Sequence, residues 1–329
     1  MRELIVKELE AGQRLDKFLH KYLKEAPNSF LYKMMRKKNI VLNGKKVTGN
    51  EQIKKGDSIK LFLAEETIEK FIGVQDFKST QNALYYKAYA DLKGILVVSE
   101  FDDVLFINKP AGVLSQRAEG NDLSANEWLI GYLLDEEIIT EEDLKTFKPS
   151  VCNRLDRNTS GLLVCSKTLL GSQEMASILK DRSLHKFYRC FVHGKCELDG
   201  VYEAYLCKDE KNNKVTVYNE MEQVPVGLQD KVKPIKTGMK PIQYFNENDC
   251  TELEVELFTG KTHQIRAQME KLGYPLVGDV KYNGKDGTKR KTTGQKLHAY
   301  RLLFPKMNGK LSYLSEQEII CEKPENWIF

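Results

Sequence analysis

Asp156 stands out by its neighbours. It lies in the stretch Asn153-Arg-Leu-Asp-Arg-Asn-Thr-Ser-Gly-Leu-Leu-Val-Cys-Ser-Lys167, with Arg154 and Arg157 on either side. Guanidiniums that close favour the ionised form of an acid, and an ionised carboxylate on a supported loop can act as nucleophile or base. Read alone, the same residues make a local ion pair on a surface loop, a contact of small energetic weight. The residues after the acid separate the two readings. Beyond a turn at Thr159-Ser160-Gly161 the chain is apolar from Leu162 to Cys165. Strands covered on both faces lose their alternation, so this run reads as a buried strand with Asp156 on the loop that feeds it.

A second stretch with chemical possibilities is Thr259-Gly-Lys-Thr-His-Gln-Ile-Arg266. It comes after Thr251 to Leu257, where Leu253, Val255 and Leu257 alternate inward as in a strand. Strand, glycine and helix in succession can cradle a phosphate. A Walker loop, however, needs an earlier glycine at a fixed spacing before the lysine, and Val255 stands there. Nucleoside-triphosphate binding is excluded. The helix has Ile265, Met269 and Leu272 as its apolar stripe, with Thr262 expected as its cap and Gly273 as its end. His263 has no His, Cys or Asp at metal-ligand spacing and reads as a hydrogen-bonded structural residue, as does His298.

The elements that must position these residues fall into two units. A length of 329 residues suggests about two domains. The net charge of +4, from 51 basic and 47 acidic residues, neither demands nor excludes a nucleic-acid partner, so the distribution of charge decides. Seven cysteines without a Cys-x-x-Cys pair argue against a disulfide framework or a structural zinc and for reduced thiols in a cytosol. The opening Met-Arg-Glu-Leu-Ile-Val-Lys-Glu lacks an apolar core of signal-peptide length, and no run is long enough to span a bilayer. The chain is expected to be soluble, cytoplasmic and monomeric, without membrane contact.

Residues 1–64 read as the first unit. Leu4 and Val6 mark a short strand; Leu15, Phe18, Leu19 and Tyr22 mark a helix ending before Pro27. Ser29 is expected to cap a second helix with Leu31, Met34 and Met35 inward and Lys33, Arg36, Lys37 and Lys38 outward. A hairpin turning at Asn43-Gly44 comes next, and Gly56-Asp57 precedes a last strand. Lys45, Lys46, Lys54 and Lys55 sit on turns beside the basic helix. Together they make an electropositive face suited to phosphate contact, against the commoner reading of a solvated helix surface. Residues 65–92 are acidic, then polar, then tyrosine-bearing without a clear period, and read as a linker.

The second unit, 93–329, opens with apolar strands at Ile95 to Val98 and Val104 to Ile107, then Lys109-Pro110-x-Gly112. Ser124 and Glu127 are expected to form a capping box on a helix with Trp128 and Leu129. Leu169 to Arg182 reads as another helix, and Lys186 to His193 as a strand placing Lys186, Tyr188, Cys190 and Val192 on one face. Residues 196–250 read as short meandering strands, with loops at Lys208 to Lys214 and Lys231 to Lys236. Lys285 to Lys296 is a Gly- and Lys-rich loop.

Arg-Leu-Asp, two residues, then Thr-Ser-Gly-Leu-Leu resembles the catalytic motif of the RluA family of RNA pseudouridine synthases, whose pattern usually opens with His where this chain has Asn153. Lys109-Pro110-x-Gly112, Lys186-x-Tyr188 and Thr259 to Arg266 resemble further motifs of that family, the last with Lys261 in place of the usual Arg. Gly278 to Tyr282 and Leu297 to Pro305 match its later stretches. Arg14-Leu-Asp-Lys-Phe-Leu and Lys38-Asn-Ile-Val-Leu-Asn-Gly-Lys45 resemble the alpha-L RNA-binding module of ribosomal proteins.

The resemblance implies an α+β fold: a catalytic domain on a mixed, mainly antiparallel sheet, preceded by a small alpha-L domain. It implies isomerisation of a flipped-out uridine to pseudouridine in structured RNA, most of all large-subunit ribosomal RNA. Asp156 would be catalytic, Arg266 would orient it, and Tyr188 would lie against the base. Arg154 would fill the gap left by the flipped base, Lys109 would shape the site wall, and Lys261 would touch phosphate more loosely than Arg. Lys33, Arg36, Lys37, Lys38 and Lys45 would hold RNA. Breaking and remaking a bond to uracil needs no metal, redox partner or other cofactor. The alternatives are the same chemistry on tRNA, or a catalytically silent RNA-binding or ribosome-assembly factor; the presence of Asp156, Tyr188 and Arg266 argues against silence.

Overall fold

The computed structural model describes residues 1–73, 76–120, 122–209, 214–282, 294–324 and 327, with the backbone alone for 76–81. The first unit contains β1 (Arg2–Ile5), α1 (Leu15–Tyr22), α2 (Asn28–Arg36), β2 (Ile40–Leu42), β3 (Lys45–Lys46) and β4 (Ser58–Leu61). Its sheet is antiparallel in the order β1-β4-β2-β3. Leu15, Phe18 and Leu19 of α1 pack with Leu31 and Met35 of α2 on Ile40 and Ile59 of the sheet. Between β2 and β3, Asn43 and Gly44 both take positive φ, as a two-residue hairpin turn requires. Ser29 does not cap α2. Pro27 stands at the N-cap without a side-chain hydrogen bond, its fixed φ of −60° already suiting the entry.

The segment 65–92, expected to be a linker, is helical instead. α3 (Glu65–Ile72) buries Ile68 and Ile72 in the core of the first unit. α4 (Asp76–Asp91) buries Tyr85 and Ala88 in the core of the second. The first unit also docks on the second through polar contacts: Lys7 pairs with Asp143 at 2.6 Å, Lys310 with Glu8 at 2.8 Å, and the Thr146 hydroxyl donates to Glu10.

The second unit continues with β5 (Leu96–Glu100), β6 (Val104–Lys109), α5 (Ala125–Asp135), β7 (Ser150–Val151), β8 (Ser160–Ser166), α6 (Leu169–Lys180) and β9 (His185–His193). Then come β10 (Gly200–Asp209), β11 (Lys214–Tyr218), β12 (Lys233–Phe245), β13 (Cys250–Leu257), α7 (Gln264–Lys271), β14 (Leu297–Leu303) and β15 (Glu318–Ile320). The strands form one sheet in the order β11-β10-β12-β13-β9-β14-β8-β6-β5, with β15 on β14 and β7 on β8. Only β8 and β14 pair in parallel among the described residues. The architecture is the expected α+β one with a mixed, mainly antiparallel sheet.

Of the strands between 196 and 250, β11 is short, but β10 and β12 are not. β12 runs for 13 residues, and it takes in Lys233 to Lys236, expected as loop. Its buried face is Ile235, Thr237 and Met239; a buried threonine in that set weakens the alternation a reader looks for. Most of the loop expected at Lys208 to Lys214 and most of the Lys285 to Lys296 loop lie outside the described residues.

One core fills the side of the sheet under α4, α5 and α7, with Tyr188, Cys190, Leu253 and Val255 facing into it. A second lies under α6 around Phe106, Leu162, Val164 and Met175. β8 is buried along its whole length, as its continuous apolar run predicts. Gly161, at φ 108°, lets β8 approach β14: a Cβ there would stand 2.2 Å from the Ala299 carbonyl oxygen. α5 is capped by Ser124, whose hydroxyl accepts from the Asn126 amide and also bonds the Glu127 carboxylate. Among the described residues, no helix is long and apolar enough to cross a membrane.

Candidate active site

The loop bearing Asp156 joins β7 to β8 and is clamped on both sides of the acid. Before it, the Ser115 hydroxyl donates to the Leu155 carbonyl at 2.9 Å and accepts from the Leu155 amide at 3.0 Å. After it, the Arg157 carbonyl accepts from the Lys109 ammonium at 3.1 Å and from the Gly112 amide at 2.9 Å. The Asn153 side chain accepts from the Val164 amide at 2.8 Å, tying the start of the loop to β8. A carboxylate between such clamps is held in place by its backbone.

Asp156 does not pair with its sequence neighbours. Arg154 is exposed, and Arg157 donates to the Gly112 carbonyl at 3.2 Å. The partner is Arg266, whose Nη1 donates to Asp156 Oδ2 at 2.8 Å. The far edge of the same guanidinium grips Asp279, with Nε to Oδ2 at 2.6 Å and Nη2 to Oδ1 at 2.9 Å. Arg266 is 7 % exposed and Asp279 1 % exposed. Burial alone would lower the guanidinium pKa, but the bonds to Asp279 and Asp156 outweigh it and raise it. A bidentate grip on one edge fixes the plane of the fork, and that plane presents Nη1 to Asp156.

Arg266 reaches Asp156 from α7, which begins at Gln264 rather than at the expected Thr262 cap. His263 occupies the N-cap with φ 54° and ψ 19° and makes no capping bond. Gln264 does that work from inside the helix: its side-chain carbonyl oxygen accepts from the Lys261 amide at 3.1 Å and from the Thr259 hydroxyl at 2.9 Å. The left-handed turn brings His263 beside the acid, with Nε2 3.8 Å from Asp156 Oδ2 and Nδ1 2.9 Å from the Tyr282 hydroxyl. Burial lowers the His263 pKa, and the Asp156 charge opposes it. Gly273, at φ 89°, ends the helix as expected.

Asp156, His263, Gln264 and Arg266 line a cavity of about 1040 Å³. Tyr188, Arg154 and Lys261 line it with Asp156 and Arg266. Among its described lining residues Asp156 is the only acid, and every other charged side chain is a lysine or an arginine. Tyr188 comes from β9, between Val255 of β13 and Ala299 of β14. Burial, and then the Asp156 charge, raise its phenol pKa, so the hydroxyl keeps its proton at neutral pH.

Lys109, expected to shape the site wall, is fully buried. Its ammonium donates to the carbonyls of Pro110, Val113 and Arg157 at 3.0, 2.8 and 3.1 Å. Burial pushes it down to about 7, and the Asp156 charge opposes that shift. It clamps the loop from beneath. Lys33, Arg36, Lys37, Lys38 and Lys45 are on the first unit, and none lines the cavity. Sequence reasoning missed Asp279, Ser115 and Tyr282 as parts of the site. Each acts on another residue; Asp279 and Tyr282 lie in the Gly278 to Tyr282 stretch that resembles the family, which was the signal that could have found them, while nothing along the chain marks Ser115. Among the described residues no group of three His, Cys, Asp or Glu could hold a metal.

Comparison with known proteins gives a consistent picture. Residues 103–271 match the model of the family described as RNA pseudouridylate synthase. An uncharacterized RNA pseudouridine synthase of Mycoplasma genitalium is 29% identical over 92% of this chain and 89% of its own length. The ribosomal large subunit pseudouridine synthase C of Vibrio parahaemolyticus is 28% identical over 94% of this chain and 87% of its own. Among solved structures, human RNA pseudouridylate synthase domain containing 4 shares the fold, with a TM-score of 0.56 at 17% identity over 76% of this chain and 94% of that one.

Proposed function

The chain belongs to the RNA pseudouridylate synthase family and is an RNA pseudouridine synthase; we propose that its substrate is large-subunit ribosomal RNA and that Asp156 is its catalytic carboxylate. The observation that carries the catalytic assignment is the chain Asp156–Arg266–Asp279. It commits Oδ2 of Asp156 to Arg266 at 2.8 Å, while Oδ1 makes no hydrogen bond among the described residues. One oxygen is anchored and the other is left for substrate.

The reaction breaks the N1–C1′ bond of uridine, turns the uracil, and forms a C5–C1′ bond; C5 loses a proton and N1 gains one, so no electrons enter or leave. Addition of Oδ1 to the nucleoside and removal of a ribose proton by Oδ1 both start from the Arg266-held carboxylate. Tyr188 offers the detached uracil a ring face, a contact worth roughly 1–3 kcal/mol. Because its phenol stays protonated, it serves as a platform and not as the resting base. The uridine must leave its stack, at a cost of a few kcal/mol. Arg154, exposed on the cavity wall, fills the space it vacates, and Lys261 meets a phosphate.

The first unit is an RNA-binding domain in this reading. Lys33, Arg36, Lys37, Lys38 and Lys45 enter no ion pair among the described residues, which leaves them for phosphates. The ribosomal assignment is supported by the activity in the name of the Vibrio relative. The test is to map pseudouridine across ribosomal and transfer RNA in cells with and without the gene. Sites lost from large-subunit RNA should return with the wild-type protein and stay absent with Asp156→Ala. Loss confined to transfer RNA would overturn the substrate, and restoration by Asp156→Ala would overturn the catalytic residue.

A further inference from the structure

Three basic side chains of the cavity wall have no part in the uridine chemistry: Lys180, Arg182 and Lys186. They meet where α6 ends and β9 begins. α6 stops at Lys180, Asp181 comes next with φ −78°, and Arg182 then takes φ 65°, in the left-handed region. That position after a helix favours glycine, because a Cβ there strains the backbone. The turn is nonetheless firmly built. The Asp181 carboxylate accepts from the Ser183 amide at 2.9 Å and from its hydroxyl at 2.7 Å. The one acid in the turn is thereby tied to Ser183 and does not pair with Arg182.

Arg182 is exposed, Lys180 lies beside it on the last turn of α6, and neither enters an ion pair or side-chain hydrogen bond among the described residues. Lys186 is half-buried; its ammonium donates to the Leu184 carbonyl at 3.2 Å. Burial lowers the Lys186 pKa, the Arg182 charge lowers it further, and Glu256 opposes both. Glu256 itself pairs with His185 at 2.7 Å. Cations are thus held close enough to repel one another, on the wall of a cavity whose only acid is Asp156 among the described residues, by a backbone conformation that resists a side chain. A cation near a helix C-terminus is weakly favourable, but that would not require the strained position.

We propose that Arg182, with Lys180 and Lys186, forms a phosphodiester-binding site for the RNA strand beside the flipped uridine, Arg182 making the principal contact. The inference rests on the reading of the cavity as the site that takes up the target nucleotide. An arginine fork suits two phosphate oxygens, and bound phosphate removes the repulsion between Arg182 and Lys186. Holding the strand at this wall sets which nucleotide can turn toward Asp156 and Tyr188.

The experiment compares the full-length wild type with Arg182→Gly and Arg182→Lys, using an unmodified large-subunit ribosomal RNA transcript as probe. Equilibrium binding is measured across a salt series, with thermal midpoint and single-turnover pseudouridine formation alongside. Arg182→Gly should weaken binding about tenfold near 0.15 M salt and flatten the log–log salt slope by about one. Its midpoint should hold or rise, since glycine adopts φ 65° without strain. Single-turnover pseudouridine formation at subsaturating protein should fall in step with the lost affinity, and Arg182→Lys should bind between the two. Unchanged affinity and slope in Arg182→Gly would overturn the site, and so would weaker binding that tracks a lowered midpoint. Absence of pseudouridine with the wild type would count against the catalytic reading, while the binding series still decides Arg182.

Discussion

At the cavity, Arg266 is buried and both edges of its guanidinium are taken, one by Asp156 and one by Asp279. On α2 and the β2–β3 hairpin, Lys33, Arg36, Lys37, Lys38 and Lys45 enter no ion pair among the described residues. The same kind of charge is used in two ways. Burial of Arg266 and Asp279 makes the first region depend on geometry: each member of the chain Asp156–Arg266–Asp279 is placed by the next, and removing one leaves a largely buried charge short of a partner. Exposure makes the second depend on number, because each cation contributes separately and salt screens all of them. The first region can therefore hold a reacting group in place, and the second can only bring a polyanion near.

The contrast breaks most sharply at Asp156. Asp156→Ala should lower turnover by roughly 1000-fold or more, about 4 kcal/mol, while RNA affinity stays near wild type. Loss of affinity in step with turnover would mean that the carboxylate organises the pocket and does no chemistry. Asp279→Ala leaves Arg266 buried with one carboxylate. Urea unfolding should show a loss of roughly 3–5 kcal/mol, with turnover reduced more than affinity.

Acid and salt should separate the regions further. His298 is fully buried, with its ring bonded to the Ser160 hydroxyl at 2.8 Å and the Cys321 carbonyl at 2.9 Å. Burial holds its pKa down at about 4. The unfolded chain takes up that proton first, near pH 6.5, so the stabilisation is complete above that pH and is lost as pH falls toward 4. The loss should be on the order of 3 kcal/mol in urea unfolding across that window, and His298→Gln should show a flatter profile. The smallest effect is expected on the first unit. Replacing Lys33, Arg36, Lys37 and Lys45 by Ala should weaken RNA binding about 10- to 100-fold at physiological salt and flatten the salt slope by about 0.7–0.9 per lost contact. Stability and the rate at saturation should not change. A fall in that rate would mean that the first unit shapes the site.

Much of this was legible along the chain. The unbroken apolar run after Asp156 announced a strand buried on both faces, and β8 is one. The helical spacing of Leu15, Phe18, Leu19 and Tyr22, the Asn43-Gly44 turn and Gly273 all placed element ends within a residue or two. These are local signals: a periodicity or a backbone preference that few neighbours can override. α4 was not legible: Tyr85, Ala88 and Tyr89 do recur at helical spacing on its packed face, but the acidic and polar run ahead of them masks the period. It is held by close packing on α5, where a Cβ on Gly131 would stand 2.2 Å from the Tyr85 carbonyl oxygen.

The candidate site divides along the same line. By itself the sequence determined which residue types are present and which local elements carry them: an acid on a loop ahead of a buried strand, a tyrosine on an alternating strand, and an arginine on the helix after another. Those arise from short-range sterics and from the burial pattern. The chain read by itself sets Asp156 between Arg154 and Arg157; that its partner is instead Arg266, 110 residues away, as the resemblance implied, is the work of the tertiary structure. It likewise set Asp279 behind Arg266, buried Lys109 beneath the loop, and turned Arg182 into the cavity wall. An ion pair on this cavity wall is chosen by where the sheet and α7 bring side chains together, and nearness along the chain does not decide it.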